Sequence, residues 1–495
     1  MTGATDSTDE VANSRLNSVQ FGMTIFTLMA MWSIAMPLFS SPDENAHFVK
    51  AAALVRGVLV GKDLSPTADL SYWSTAVDID PQFNAANQIP WCFAPYAAVP
   101  ACDRPMATTD PVDNIPYTTH GRYPPLLYIV PGLATLFGPT DFSVRLARLL
   151  VAGAAATILA LAFAHLRRCR RALPALLLAF TPGVLFLSST VNTSGLEICA
   201  AIATWIFVPA AMRGELATRS DRLAMCVSLV TLTTARPIGP VLTAITLAIC
   251  AAASPAPRRT WRVVRAHWAT AVISSVAALA MTAWYFAIYS EHVSSSVVAG
   301  QPAYGATRVT FMAVGHLPKL VAEAVGNYGW LDTPTPTPLV WGFLFMVMFG
   351  IFSMWPRCSR RERYTLAVLS LCTATLSIGL DLNYYQLLRQ VGVQGRWLMP
   401  LLVGLPLLLV HHWTPSRWAE RNITLAWAAI TAGAGLFALR RYTVGVTEGN
   451  FLTMFTDPAW TPLFGVLLSA TALIALPFAV ATIILRSADG RELGP

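Results

Sequence analysis

The sequence predicts an all-α polytopic membrane protein, and three observations predict it. Hydrophobic residues make up 55% of the 495-residue chain and charged residues only 12%, where a soluble domain carries roughly a quarter charged residues. Mean hydropathy is +0.53. Apolar runs recur along the whole chain, and the arginines gather in the short gaps between them, as in a positive-inside protein. The net charge of +8 therefore points to a lipid bilayer as partner and not to nucleic acid.

A spanning helix needs about 20 apolar residues at 1.5 Å rise each. Twelve runs read as spans: Phe21–Phe39, Phe142–Leu166, Leu173–Ser189, Leu196–Met212, Leu223–Thr234, Ile238–Ala253, Trp268–Tyr289, Leu339–Trp355, Tyr364–Leu380, Trp397–His411, Ile423–Leu439 and Pro462–Leu485. The first follows a mixed-charge leader without a small-residue cleavage site and reads as a retained helix. Six arginine clusters test the count: 167–171, 213–222, 258–265, 357–363, Arg417 with Arg421, and Arg486 with Arg491. With twelve spans and a cytoplasmic N-terminus, all six fall inside, and the C-terminus does too. Pro124–Phe137 is apolar, but at helical rise it covers only about 21 Å of a hydrocarbon core of about 30 Å. Counting it as a span would flip every later cluster, so it reads as an interfacial or re-entrant helix, with a short true span as the alternative. Large outer loops then run from 40 to 141, 290 to 338, 381 to 396 and 440 to 460.

Six of the eight cysteines lie in or beside apolar runs. Cys92 and Cys102 instead share the polar segment after the first span, and the loop between them suits a disulfide in an oxidising compartment. Two free thiols are the alternative.

Candidate chemistry gathers on the outer side. Asp43, Glu44 and His47 sit where the chain leaves the first span. Acidic residues there suit a helix start, or a carboxylate that deprotonates a hydroxyl or holds a divalent cation. Arg122 and Tyr123 precede two prolines; Asn192 and Glu197 flank a tight turn; Arg236 sits at a helix end. Tyr328 and Trp330 lie in the second large loop, and Gln394 and Arg396 directly precede a span. A snorkelling arginine is the plain alternative for Arg236 and Arg396. Their convergence with two carboxylates and aromatic side chains suits an anionic, lipid-linked substrate, because arginine forks match phosphate oxygens. His411 and His412 fall at the opposite end of a span and read as interfacial structure.

Read in order, PDENAH, GRYPPLLY, VNTSGLE, TARPIGP, GNYGWLD and VQGRWLMP resemble the bacterial membrane family called domain of unknown function 2142. A carboxylate pair after the first helix, a Tyr-Pro-Pro-Leu segment and an Arg-Leu-Ala-Arg helix start resemble the wider GT-C superfamily of integral-membrane glycosyltransferases. The resemblance implies a GT-C-like fold in the bacterial inner membrane with its active face extracytoplasmic. It implies a polyprenyl-phosphate sugar donor, an envelope glycan or lipid acceptor, and an acidic catalytic base, carried over to Asp43 with Glu44 second. Substrate binding then falls to His47, Arg122, Tyr123, Asn192, Glu197, Arg236, Tyr328, Trp330, Gln394 and Arg396. A divalent cation is the only cofactor the pattern raises. Residues 1–412 read as the catalytic module and 413–495 as C-terminal spans and tail. The chain departs from the pattern in the turn Asn192-Thr193-Ser194-Gly195, where an Asn-Pro-Asp-Gly type would place an aspartate at Ser194, and at Trp397, where tyrosine is usual. A lipid-glycan transporter or flippase, or a non-catalytic envelope-assembly protein, are the rival classes. No internal symmetry is visible, and the notable charges sit at helix ends rather than mid-span.

Overall fold

The computed structural model describes residues 4–64, 74–94, 96–111, 114–169, 171–254, 257–290, 304–447 and 450–489. Arg170 and Arg491 of the arginine clusters lie outside the described residues. Helices dominate: α1 (Ala4–Ile34), α2 (Glu44–Val55), α3 (Ile129–Thr135), α4 (Asp141–Arg168), α5 (Pro174–Ala179), α6 (Pro182–Ser188), α7 (Thr193–Arg213), α8 (Arg219–Thr234), α9 (Gly239–Ala253), α10 (Pro257–Ala266) and α11 (Trp268–Trp284). They continue as α12 (Ala306–Val325), α13 (Thr337–Met354), α14 (Arg360–Leu388), α15 (Gly395–Leu402), α16 (Gly404–Leu407), α17 (Arg417–Val444), α18 (Thr453–Thr456) and α19 (Gly465–Asp489). The strands are two-residue pairings: Lys62–Asp63 with Thr75–Ala76 with Tyr117–Thr118, and Asn327–Tyr328 with Thr333–Pro334, all antiparallel.

Every apolar run read from the sequence is helical, but not every run is one helix. Among the described residues, seven helices are long and apolar enough to cross a membrane: Asp141–Arg168, Thr193–Arg213, Trp268–Tyr289, Thr337–Arg357, Arg360–Leu388, Arg417–Val444 and Gly465–Ala488. The other five expected spans differ for visible reasons. The first half of α1 is polar, and α8 and α9 have only 16 and 15 residues. The run 173–189 breaks between α5 and α6, where Thr181 and Pro182 start a new helix and the Thr181 hydroxyl accepts from Val184 N at 3.1 Å. The run 397–411 becomes α15, α16 and a 3-10 turn, with Pro400 and Pro406 inside it.

A break inside a packed bundle leaves carbonyls without intrahelical donors, and each needs a new one. Two buried indoles supply them. Trp427 Nε1 donates to Phe180 O at 2.7 Å, and Trp205 Nε1 to Pro400 O at 2.8 Å. Both tryptophans are fully buried, so their N–H groups would otherwise be orphaned as well. α1 packs along α4, with Phe21 and Phe163 stacked at 4.2 Å, and against α19. One apolar core holds Phe21, Trp205, Trp427 and Ile484 together, so the segments on either side of residue 412 share it.

The helices segregate the polar loops by end. α4, α7, α9 and α15 begin at the end where Asp43 lies, while α8, α14 and α17 finish there. The arginine-rich connections meet at the opposite end. There Arg168 pairs with Asp221, Arg171 Nη2 with Glu215 Oε1 at 2.5 Å, and Arg171 Nη1 donates to His411 O at 3.0 Å. The segment after Pro124 forms a 3-10 turn and α3, ten helical residues in all from Leu126 to Thr135. They rise about 15 Å, half the hydrocarbon thickness.

Candidate functional site

The two adjacent carboxylates after α1 are separated by packing. Glu44 opens α2 and is fully buried. Arg148, fully buried on α4, grips it with a fork: Nε to Oε1 at 2.7 Å and Nη2 to Oε2 at 2.7 Å. Val191 N donates to Oε1 at 2.9 Å, and Ser41 N reaches Oε2 at 3.4 Å. Arg148 also donates to Ser33 O at 3.0 Å and to Pro37 O at 2.8 Å. The carboxylate thus ties the end of α1, the start of α2, α4 and the turn before α7 into one knot. Its acceptor positions are filled, so Glu44, expected as a second catalytic group, is engaged here by framework donors. Arg148, in the Arg-Leu-Ala-Arg run, had no assigned role from sequence. Its partner lies 104 residues away.

Asp43 turns the other way. It occupies the N-cap position of α2 but makes no side-chain capping bond, and its backbone is left-handed at φ 64° and ψ 4°. Its Oδ2 accepts from Arg396 Nη2 at 2.7 Å, and its side chain keeps 37% of its surface exposed. Arg396 starts α15. Its Nε donates to Gln394 Oε1 at 2.5 Å, while its buried Nη1 has no partner. The close approach depends on Gly395, because a Cβ there would meet Leu320 O at 2.5 Å and Glu323 Cβ at 2.6 Å. Glu323 Oε2 accepts from Gly395 N at 2.9 Å and fixes the helix start.

Arg396 lines an open cleft walled by Pro42, Leu187, Glu323, Asn327, Gln394 and Met399 among others. Leu331, also on the wall, has φ 64°, and nearby Phe39 has φ 55°. Such conformations cost about 1–3 kcal/mol each for residues with a Cβ, and they gather at functional sites. Behind Asp43, Arg236 Nε lies 3.0 Å from Glu197 Oε2, and Arg236 Nη2 donates to Ser194 Oγ. Asn192 caps α7 through Ser194 N at 2.8 Å and donates to Pro42 O at 3.2 Å, so it shapes the Asp43 turn from behind.

A second layer is aromatic. His47 Nδ1 and Tyr128 Oη are 2.7 Å apart, the His47 ring lies 4.1 Å from that of His120, and His120 lies 4.3 Å from Tyr123. Burial holds His120 at about 4 against the pull of Asp43, and it holds His47 well below its usual value with His120, Arg396 and Arg236 adding to the effect. Both imidazoles are neutral at neutral pH. For Asp43 burial alone would raise the carboxyl, but Arg396, supported by Arg236, brings it below the usual value, so it is ionised. His120 escaped the sequence reading; the only signal was its place directly before Gly121-Arg122-Tyr123.

Three expected binding residues do not join the site. Tyr328 is buried against Trp32 and Phe186 and accepts from Thr335 Oγ1 at 2.9 Å. Trp330 Nε1 donates to Phe39 O at 3.0 Å and its ring packs on Trp91. Arg122 donates to Ile288 O at 2.8 Å and pairs with Asp63, tying the loop to the end of the α11 region. Each is an aromatic or basic loop residue whose polar group has a framework partner. Cys92 is bonded to Cys102, Cα to Cα 6.3 Å. Arg441 donates into that loop at Phe93 O (2.9 Å), Tyr96 O (3.0 Å) and Val99 O (2.6 Å), and to Asp332 at 2.6 Å. Among the described residues, Asp43 belongs to no group of three metal-capable side chains.

A family model described as "Predicted membrane protein (DUF2142)" matches residues 26–405. The match takes in Asp43, Arg148, Arg236 and Arg396 and ends before α17. No curated protein matches the chain.

Proposed function

The chain belongs to the DUF2142 family of predicted membrane proteins, and from the arrangement of Asp43 and Arg396 we propose that it is a GT-C-like glycosyltransferase of the bacterial inner membrane. It moves one sugar from a polyprenyl-phosphate donor to an envelope glycan or lipid on the extracytoplasmic face. One observation carries the reading: an ionised, part-exposed aspartate that caps nothing is held by a buried arginine that lines a cleft and whose Nη1 has no hydrogen-bond partner.

The chemistry follows from that pair. Nη1 of Arg396 offers a donor to a phosphate oxygen, and a guanidinium suits such an oxygen better than a point charge does. As the donor phosphate draws on Arg396, the hold on Asp43 weakens and its basicity rises toward that of a free carboxylate. Asp43 Oδ then accepts the acceptor hydroxyl's proton as the new glycosidic bond forms and the bond to phosphate breaks. The departing phosphate keeps its negative charge against Arg396. Arg236 is already matched by Glu197 and acts from behind, setting the field rather than gripping the ligand.

Purified protein supplied with a radiolabelled polyprenyl-phosphate sugar and a membrane glycan extract tests this. Transfer of label to the acceptor is expected, with donor affinity lowered about tenfold or more in Arg396→Ala. Movement of the lipid-linked sugar across vesicles without transfer would put the protein in the flippase class instead.

A further inference from the structure

We propose that Glu362, His411 and His412 form a binding site for a zinc-type transition-metal ion, at the end of the bundle opposite Asp43. Three side chains from two elements converge there on one point. His411 Nε2 and His412 Nε2 lie 3.0 and 2.8 Å from the same oxygen, Glu362 Oε1. The other oxygen, Oε2, is taken by the cap of α14, accepting from Ser359 N and Ser359 Oγ at 2.8 Å each. The carboxylate is therefore oriented by its own helix start, and Oε1 is presented to the two imidazoles.

Two imidazole nitrogens and one carboxylate oxygen select zinc-like ions over magnesium or calcium, which prefer all-oxygen shells. Such a set leaves a fourth position open. Zinc bonds of about 2.0–2.2 Å place tetrahedral ligands about 3.3–3.4 Å apart. The observed separations of 2.8 and 3.0 Å need to widen by only a few tenths of an ångström. The side chains are 11–24% exposed, which leaves room for that rotation and a path for the ion. Arg171 and Arg213, at the same end of the bundle, share the Glu215 carboxylate at 2.5 and 3.0 Å, which offsets part of their charge.

The placement gives the ion a task. Glu362 opens α14, whose far end carries Asp381, and the histidine pair ends the broken segment that begins at Arg396. A metal here staples the broken segment to α14 and fixes how far it can slide, and so positions Arg396 from the other end. A second metal-capable group, His165, Cys169 and Glu215, lies at the same end; it contains a thiol, which makes the two distinguishable.

Full-length protein purified in detergent with chelator, then titrated with Zn²⁺ or Co²⁺, tests the assignment. One ion per chain is expected, with a cobalt spectrum of tetrahedral nitrogen and oxygen ligation and a raised unfolding temperature. Affinity should fall at least tenfold in His412→Ala and in His411→Ala, each judged folded by gel filtration. Thiolate-to-cobalt charge transfer would assign the ion to Cys169 and overturn the proposal. So would equal binding by wild type and both histidine variants, or no stoichiometric ion at all.

Discussion

At Asp43 the left-handed backbone costs about 1–3 kcal/mol, and no capping bond offsets it. Glu44, one residue on, spends its whole carboxylate on Arg148 and two backbone donors. Removing one partner of a buried pair strands the other charge and costs about 3–5 kcal/mol. Glu44→Gln should therefore lower the unfolding temperature sharply, whereas Asp43→Asn, at a part-exposed side chain whose amide can still accept from Arg396, should lower it far less. A Glu44→Gln variant as stable as wild type, by thermal unfolding in detergent, would show that the knot is not structural. His120 adds a pH signature. It titrates at about 4 when folded and near 6.5 unfolded, so between those values the unfolded chain binds more protons. Stability from this group is complete above pH 6.5 and is lost as pH falls toward 4; His47 acts in the same direction. His120→Gln should flatten the acid side of a melting-temperature profile, and an unchanged profile would remove His120 from it.

At the scale of elements, the Cys92–Cys102 bridge and Arg441 fasten the same loop from two sides. Closing a loop this short is worth about 3 kcal/mol in the chain-entropy model. Mass mapping of non-reduced protein should find the two peptides linked, and Cys102→Ser should make the loop the first site of proteolysis. Free thiols in material from an oxidising compartment would count against the bridge. The long apolar runs were legible because a helix signals itself over 15–20 residues of continuous composition. The breaks at Thr181 and within 395–412 were less so, since Pro400 and Pro406 mark a kink without saying what satisfies the freed carbonyls. Trp205 and Trp427 do that from helices far along the chain. The Asp43–Arg396 pairing spans 353 residues; sequence could place both on one side of the membrane, but not in contact. Tyr328 and Trp330 looked available because aromatics in a polar loop usually face outward. Here the loop folds down: the Tyr328 ring fills the core beside Trp32, and the part-buried Trp330 ring packs against the exposed Trp91.

For the whole molecule, the division into two ends is the main architectural fact, and it makes the membrane assignment testable. Arg259, on exposed α10, and Thr108, exposed in the long loop after α2, lie at opposite ends. If the arginine-rich end is cytoplasmic, Thr108→Cys should react in intact cells with a membrane-impermeant thiol reagent while Arg259→Cys stays protected until the cells are opened. The reverse labelling would invert the orientation and put the cleft inside.

If Asp43 performs chemistry beside a phosphate held by Arg396, its substitution separates turnover from donor binding. Sugar transfer and donor binding are measured side by side for purified wild type and Asp43→Asn. General-base assistance is worth about 10²- to 10⁴-fold in rate, and the amide keeps the size of the side chain while removing the base. Turnover in Asp43→Asn should fall by about that factor, with the protein folded and donor affinity unchanged or slightly tighter as Arg396 is released. Wild-type turnover in Asp43→Asn would contradict it, and would leave the aspartate as a partner that merely holds Arg396 in place.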